Sequence, residues 1–192
     1  MPIAGELLES ARQSAGISRR ALARLAGASN AGLVNLASGR EDATTARLDG
    51  LLRHLDTQLA VLPTRRTTVS GAAAEVAERL NHDDRANALR AIWTAAADLA
   101  AVDPATRVAL AVMPPAPTGD SRFDALLAAV VDQVLTTAGL PIPTWVRGPE
   151  RSLADPWDVE PVRALQEGAR AVTPDAIRRH GIWLDPAELV NA

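Results

Sequence analysis

Side chains able to carry acid–base, nucleophilic or metal chemistry are sparse in this sequence. It has no cysteine and three histidines, His54, His82 and His180, far apart along the chain. Without cysteine there are no disulfides, thiolate zinc sites or cysteine nucleophiles, and three scattered histidines argue against a histidine-rich metal centre. The run Asn81-His82-Asp83-Asp84 contains the His-Asp pair that metal-dependent phosphohydrolases use. Such a site needs further histidines from other helices, which this chain lacks, so the run reads as a helix end followed by an Asp N-cap. Asp120-Ser121 also reads as a helix cap, because no serine sits in a Gly-x-Ser-x-Gly turn and no glycine-rich phosphate loop is present. Arg178, Arg179 and His180 form a small basic spot that could pair with acids, contact nucleic acid or cap the last helix turn. No constellation of acid, base and nucleophile emerges. The expectation is a protein that is not an enzyme and uses no cofactor or metal.

Arginine remains, and its distribution is uneven. All 20 basic residues are arginine, and the 192-residue chain carries a formal charge of −3. Residues 1–66 hold nine arginines against six acids, a net of +3, whereas residues 67–192 hold 11 against 17, a net of −6. A basic front half suits phosphate neutralisation, the main source of non-specific affinity for nucleic acid. An acidic back half would be repelled by that ligand and suits a protein partner. Glu6 and Glu9 lie where a signal peptide needs an apolar core, and the densest apolar run, Ala125 to Val131, falls far short of the roughly 20 residues of a membrane span. A soluble, cytoplasmic protein with no membrane association is expected.

The elements that would position these groups are helices, in keeping with an alanine content of about a fifth. Leu7, Leu8 and Ala11 fall at helical spacing before Gly16. Ser18 is placed to cap a second helix, Arg19 to Ala26, with Ala21, Leu22, Leu25 and Ala26 inward. Gly27 suits a tight turn at positive φ, and Ser29 caps a third helix, Asn30 to Ser38, with Leu33 and Leu36 inward and Gly39 at its end. Leu48, Leu51, Leu52 and Leu55 mark a fourth helix starting near Thr44 or Thr45. Two short helices joined by a glycine turn form a helix-turn-helix, in which Ala23 must be small for the helices to cross closely. Thr57 to Pro63 alternates loosely and reads either as a short β-strand available to a second subunit or as an extended linker.

The run from Arg12-Gln13-Ser14-Ala15-Gly16-Ile17-Ser18 through Arg19-Arg20-Ala21-Leu22-Ala23-Arg24-Leu25-Ala26-Gly27-Ala28-Ser29, continued by Leu33, Leu36, Gly39 and Arg40, resembles the Xre/Cro phage-repressor family over roughly residues 3–63. The resemblance implies a lambda-repressor-like bundle whose third helix enters the major groove of double-stranded DNA. Ser29, Asn30, Ala31 and Asn35 would then lie near base edges or phosphates. Ser18, Arg19 and Arg20 at the start of the second helix, and Arg40 after the third, complete the implied contact set. Asn can pair bidentately with adenine, and Arg40 could reach a phosphate or a guanine. Arg19 stands where the family usually has a glutamine that touches the backbone. Gly32 inside the third helix, Val34 and Ala37 depart from the family pattern and leave few side chains able to discriminate bases. This implies weak binding by a monomer, with a homodimer needed to span two half-sites.

Beyond residue 63, a polar linker over 64–71 leads to a helical partner-binding domain over 72–192, so the expected fold is mainly α with at most short strands. Helices are expected over Ala72–Leu80, from Asp83 or Asp84 to about Val102, after Asp103-Pro104, over Ser121–Ala138, over Val162–Ala171 and over Pro174–His180. Trp93 reads as core. Leu140–Pro161, with five prolines, reads as an irregular segment that Trp145 and Trp157 either pin to the helices or offer to a partner. Ile182-Trp183-Leu184 could form a small strand. The stretches Pro143–Arg147, Asp155–Trp157 and Thr173–Leu189 resemble the C-terminal region of actinobacterial Xre-type proteins encoded beside a nucleotidyltransferase-like toxin. That resemblance implies an antitoxin that neutralises a protein toxin and represses its own promoter. The alternative is a ligand-responsive regulator of the same family with no toxin partner.

Overall fold

The computed structural model describes residues 3–189. Over that span the chain is mainly helical, with ten α-helices and one two-stranded sheet. It divides into two compact units, Met1–Leu62 and Pro63–Ala192.

The N-terminal unit contains α1 (Ile3–Ser14), α2 (Arg19–Leu25), α3 (Asn30–Ala37) and α4 (Thr45–Arg53). Ser18, Ser29 and Thr44 cap the last three, each side-chain oxygen accepting from the backbone N–H three residues on. Gly27, at φ 60°, takes the left-handed conformation that turns the chain from α2 towards α3. Among the described residues, the buried apolar side chains of this unit are leucine or alanine, including Leu8, Leu22, Leu33, Leu36, Leu48, Leu51 and Leu52. Leu25 departs from expectation, being 56 % exposed. The buried stripe of α2 runs through Leu22 and Ala23 and is rotated away from Leu25, because alanine fits either face and so leaves the phase of the helix open.

Residues 57–62 form no strand. Thr57 closes the preceding turn, but Gln58 to Leu62 lack main-chain partners, and Val61 is 97 % exposed. A strand needs a mate, and the described residues supply none here.

Gly5 sets how closely α1 approaches α3. A Cβ at position 5 would stand 3.3 Å from Ala37 Cα and collide with the Leu36 carbonyl oxygen. Backbone cannot yield as a flexible side chain would, so the glycine is a steric requirement.

The C-terminal unit contains α5 (Val69–Asn81), α6 (Arg85–Ala100), α7 (Pro104–Ala111), α8 (Ser121–Thr137), α9 (Arg163–Val172) and α10 (Asp175–Arg178). Strands β1 (Trp157–Asp158) and β2 (Ile182–Trp183) pair in parallel, Trp157 opposite Ile182. Short 3₁₀ turns occupy Thr144–Arg147, Pro149–Arg151 and Pro186–Leu189. The expected linker over 64–71 is shorter, because Thr68 caps α5 and residues 69–71 are its first turn. Arg66 and the Thr67 N–H bind Asp98 of α6 at 2.8 and 3.1 Å, so the chain is already docked on this unit before α5 begins. Trp145 is buried and its indole N–H donates to Ala111 O at 2.9 Å, which makes it a pin for the irregular segment. Trp157 is half-buried and tilts against Phe123, with ring centroids 5.7 Å apart. Trp93, expected in the core, is half-buried as well.

Helix α8 is the centre of this unit: every residue from Ala125 to Asp132 is buried, so the helix has no solvent side along that stretch. Asp132, fully buried, accepts from Thr136 Oγ1 at 3.0 Å, from Arg147 at 3.3 and 3.4 Å, and from His180 Nε2 at 3.2 Å. Arg179 stands 3.6 Å away. The other ring nitrogen, Nδ1, lies 2.7 Å from Arg151 O. Both atoms facing the ring, the Arg151 carbonyl oxygen and the Asp132 carboxylate, are hydrogen-bond acceptors. Burial by itself would raise the Asp132 carboxyl; the hydrogen bonds from Arg147, His180 and Thr136 together hold it below its ordinary value. His180 is thus a buried bridge between α8 and the Pro149–Arg151 turn. It does not cap the last turn of α10.

Two substitutions test these constraints. Gly5→Ala should lower the stability of the N-terminal unit by about 1–3 kcal/mol through overpacking, read as an earlier transition in far-ultraviolet circular dichroism. Asp132→Ala should lower that of the C-terminal unit by about 1–3 kcal/mol, because it removes the acceptor shared by His180, Thr136 and Arg147 and leaves buried polar groups unpaired; denaturant titration followed by tryptophan fluorescence measures it.

Candidate nucleic-acid interface

The residues read as contacts lie on α2, α3 and the turns that flank them. Ser18 Oγ accepts from Ala21 N–H at 3.1 Å, and Ser29 Oγ from Gly32 N–H at 3.0 Å. Both hydroxyls are therefore occupied as acceptors by caps, although their own protons remain free to donate. Asn30 and Ala31, on the first turn of α3, are exposed. Arg20 on α2 and Arg40 after α3 are also exposed and make no ion pair within the described residues.

Arg19 and Asn35 are engaged within the protein. Arg19 grips Glu9 of α1 with two hydrogen bonds, Nε to Oε1 at 2.8 Å and Nη2 to Oε2 at 2.9 Å. Arg12 donates to the same carboxylate at 2.9 Å and also reaches Ile17 O. Burial pushes the Glu9 carboxyl up, but the two guanidiniums outweigh it and hold the group below the usual carboxylate value. Arg19 keeps its Nη1 amine without a protein acceptor, so an external anion would share this arginine with Glu9. Asn35 is half-buried; its side-chain amide donates to Glu41 at 3.1 Å, and its main-chain carbonyl accepts from Arg40 N–H at 2.9 Å. It pins the turn after α3.

Two further exposed arginines lie outside the expected set. Arg24 lies on α2 and Arg47 on α4, neither with an acidic partner within the described residues. A Cβ at Gly32 would stand 3.0 Å from Ser29 Oγ and 3.5 Å from Arg47 Nη2, so the guanidinium of α4 lies over the first turn of α3. The glycine leaves room for both the cap and the arginine. No local signal marks Arg47, because only the tertiary packing of α4 brings it there. Arg20, Arg24, Arg40 and Arg47 are thus four unpaired guanidiniums, while Arg12 and Arg19 hold Glu9 and Arg53 holds Asp49.

No family model, curated protein or solved structure matches this chain.

The basic spot near the C-terminus does not form a comparable surface. His180 is buried, Arg179 leans on Asp132, and Arg178 pairs with Asp175. At Asn81-His82-Asp83-Asp84, His82 is exposed after α5. Asp84 caps α6, accepting from the Asn87 N–H at 3.2 Å and its amide at 2.7 Å.

The Glu9 cluster makes an acid-side prediction. Because the folded carboxyl is held below its ordinary value near 4.5, the stability it contributes is present above that value. It is lost as the pH falls through the folded value. The melting difference between the wild type and Glu9→Gln should therefore be largest near neutrality and close as the solution is acidified below about pH 4.5, read by circular dichroism at several pH values.

Proposed function

We propose that this protein is a sequence-specific DNA-binding repressor whose N-terminal unit is a lambda-repressor-like helix-turn-helix of the Xre/Cro type. In this reading α3 enters the major groove of the protein's own promoter. The observation that carries the reading is the serine-capped pair α2 and α3, turned through Gly27, together with four exposed guanidiniums that have no acidic partner among the described residues. Unpaired arginines release counterions on meeting phosphates, whereas paired ones must first give up a carboxylate. Arg20, Arg24, Arg40 and Arg47 therefore supply the backbone affinity. Asn30, exposed at the start of α3, is the side chain free to read a base edge, and Asn35 and Arg19 serve as positioning residues. Few base-reading groups mean weak binding by one copy and a need for a dimer on two half-sites.

The acidic C-terminal unit is the partner-binding half, and a protein toxin, possessing the basic surface that such a unit attracts, is the partner proposed. Co-expression with a growth-arresting protein encoded by the adjacent gene tests this: restored growth and a stable complex are the expected results.

A second reading, a ligand-responsive regulator, has one observation in its favour. An open apolar groove of about 420 Å³ lies between the ends of α6 and α8, lined by Ala96, Ala100, Val134 and Pro186 with Arg107 and Gln133 at hand. That volume falls within the range of small-molecule sites.

Fluorescence anisotropy on the upstream DNA and on a scrambled duplex, across a salt series, tests the principal reading. Preferential, steeply salt-dependent binding is expected. Each of Arg20→Ala, Arg24→Ala, Arg40→Ala and Arg47→Ala should flatten the slope of log K against log salt by about 0.9 wherever that side chain neutralises one phosphate. Asn30→Ala should reduce the preference for the upstream duplex and leave the salt slope unchanged. Equal binding to both duplexes at every salt concentration overturns the proposal.

A further inference from the structure

Two guanidiniums share one carboxylate in the C-terminal unit. Arg147, at the end of the Thr144–Arg147 turn, and Arg179, just after α10, both reach Oδ2 of Asp132, through Nε at 3.4 Å and Nη1 at 3.6 Å respectively. Asp132 is fully buried, whereas both arginine side chains are about half-exposed. The carboxylate therefore lies beneath the pair and holds the inner edge of each guanidinium. These contacts are long. Charge-assisted hydrogen bonds close to about 2.7–2.9 Å, the distances at which Arg19 grips Glu9. The shorter bonds to Asp132, at 3.0 and 3.2 Å, come instead from Thr136 and His180. Arg147 donates to Asp132 through Nε and Nη2, and its Nη1 has no acceptor among the described residues. Arg179 donates from Nε to Asp175 O at 3.2 Å, and its Nη2 likewise has no acceptor among them. Neighbouring acids do not make up the balance: the Asp175 carboxylate pairs with Arg178, and Glu150 leans towards Arg151 Nε at 3.9 Å. One negative charge thus faces two permanent positive ones.

We propose that Arg147 and Arg179 form a binding site for a phosphate group, free or carried on a small molecule, with Asp132 as the buried anchor that positions both side chains. The surplus positive charge calls for an anion. Guanidiniums arriving from two separate segments suit an acceptor with oxygens on several sides. Tetrahedral phosphate has them, whereas a planar carboxylate is matched to a single fork. The anchor also prepares the site, because a guanidinium already oriented by a carboxylate behind it loses less rotamer freedom when a ligand arrives. Long polyanions are poor occupants. Residues 67–192 hold 11 arginines against 17 acids, a net of −6 that repels a nucleic acid along its length. A single phosphate meets only the two arginines. This inference goes beyond the DNA-binding reading and does not rest on it. It concerns the C-terminal unit alone and uses none of the residues that line the apolar groove between α6 and α8.

Isothermal titration of the full-length protein with inorganic phosphate, at constant ionic strength maintained with chloride, tests the site. Phenyl phosphate, an esterified phosphate, and acetate, a carboxylate, are titrated in parallel. Saturable binding of a phosphate at one site per chain is expected, with acetate about tenfold weaker. A preference for inorganic phosphate or for the ester tells which form the site takes. Arg147→Gln and Arg179→Gln should each weaken phosphate binding about tenfold, the loss of one hydrogen bond to a charged group. Arg178→Gln removes a neighbouring arginine already paired with Asp175 and should leave the affinity unchanged. Arg147→Lys keeps the charge without the fork and should fall between the wild type and Arg147→Gln. It carries the test if circular dichroism and tryptophan emission show that the glutamine variant fails to fold. No saturable binding of either phosphate, acetate bound as tightly as phosphate, or an affinity that Arg178→Gln lowers as much as Arg147→Gln and Arg179→Gln do would each overturn the proposal. So would an affinity that none of these substitutions moves.

Discussion

A carboxylate buried in a helix that has no solvent side obliges the surrounding chain to deliver its countercharges. Asp132 imposes that condition on the C-terminal unit. Its partners come from three places: Thr136 one turn along α8, Arg147 from the 3₁₀ turn after the proline-rich stretch, and Arg179 and His180 from the end of α10. His180 then passes the connection on to the Arg151 carbonyl, and Arg151 in turn donates to Pro115 O at 2.7 Å and stacks over Trp145. Segments with little regular structure are thereby fixed to the most buried helix by charge and hydrogen bonds. Such a network adds little net stability over an apolar core, but it specifies position closely, because every misplacement leaves a buried charge unsatisfied.

The N-terminal unit uses one carboxylate differently. Glu9 sits at the edge of a leucine-alanine core, gathers two arginines and ties α1 to the start of α2. This sorts the basic residues into two sets of one chemistry, those that hold the bundle together and those left exposed. Net charge could not reveal that division. Arg19 and Arg20 are neighbours in sequence, yet one is committed to Glu9 and the other is free.

Local signals are the most legible part of this chain. Capping by Ser18, Ser29, Thr44, Asp84, Asp103 and Asp120 depends on contacts two or three residues away, and each cap stands where its residue type and spacing put it. The mainly helical class and the small strand at Ile182 are readable for the same reason. Phase and pairing are not. Alanine is compatible with both faces of a helix, so periodicity alone sends Leu25 into the core, whereas the inward stripe of α2 passes through Leu22 and Ala23. Of the two readings of Thr57 to Pro63, strand or extended linker, the strand requires a partner that lies outside local sequence. Asp132 is visible as a lone acid in an apolar run, but its partners, 15 and 48 residues away, emerge only from the tertiary fold. Arg47 is the same case on the candidate interface, and Gly5 its steric counterpart: a residue without a side chain shows its purpose only when the opposing backbone is in place.

The placement of the aromatic residues has an optical consequence. All four tryptophans and the single phenylalanine belong to the C-terminal unit, and the chain has no tyrosine. The N-terminal unit is therefore dark in the near ultraviolet. Its folding and any ligand it takes up pass unseen by intrinsic emission, while Trp145, buried beside Arg151, and Trp157, against Phe123, register the opening of the other unit alone. Two halves joined in one polypeptide can thus be followed separately without labels, the difference between a fluorescence trace and an amide-based one isolating the half made of leucine and alanine.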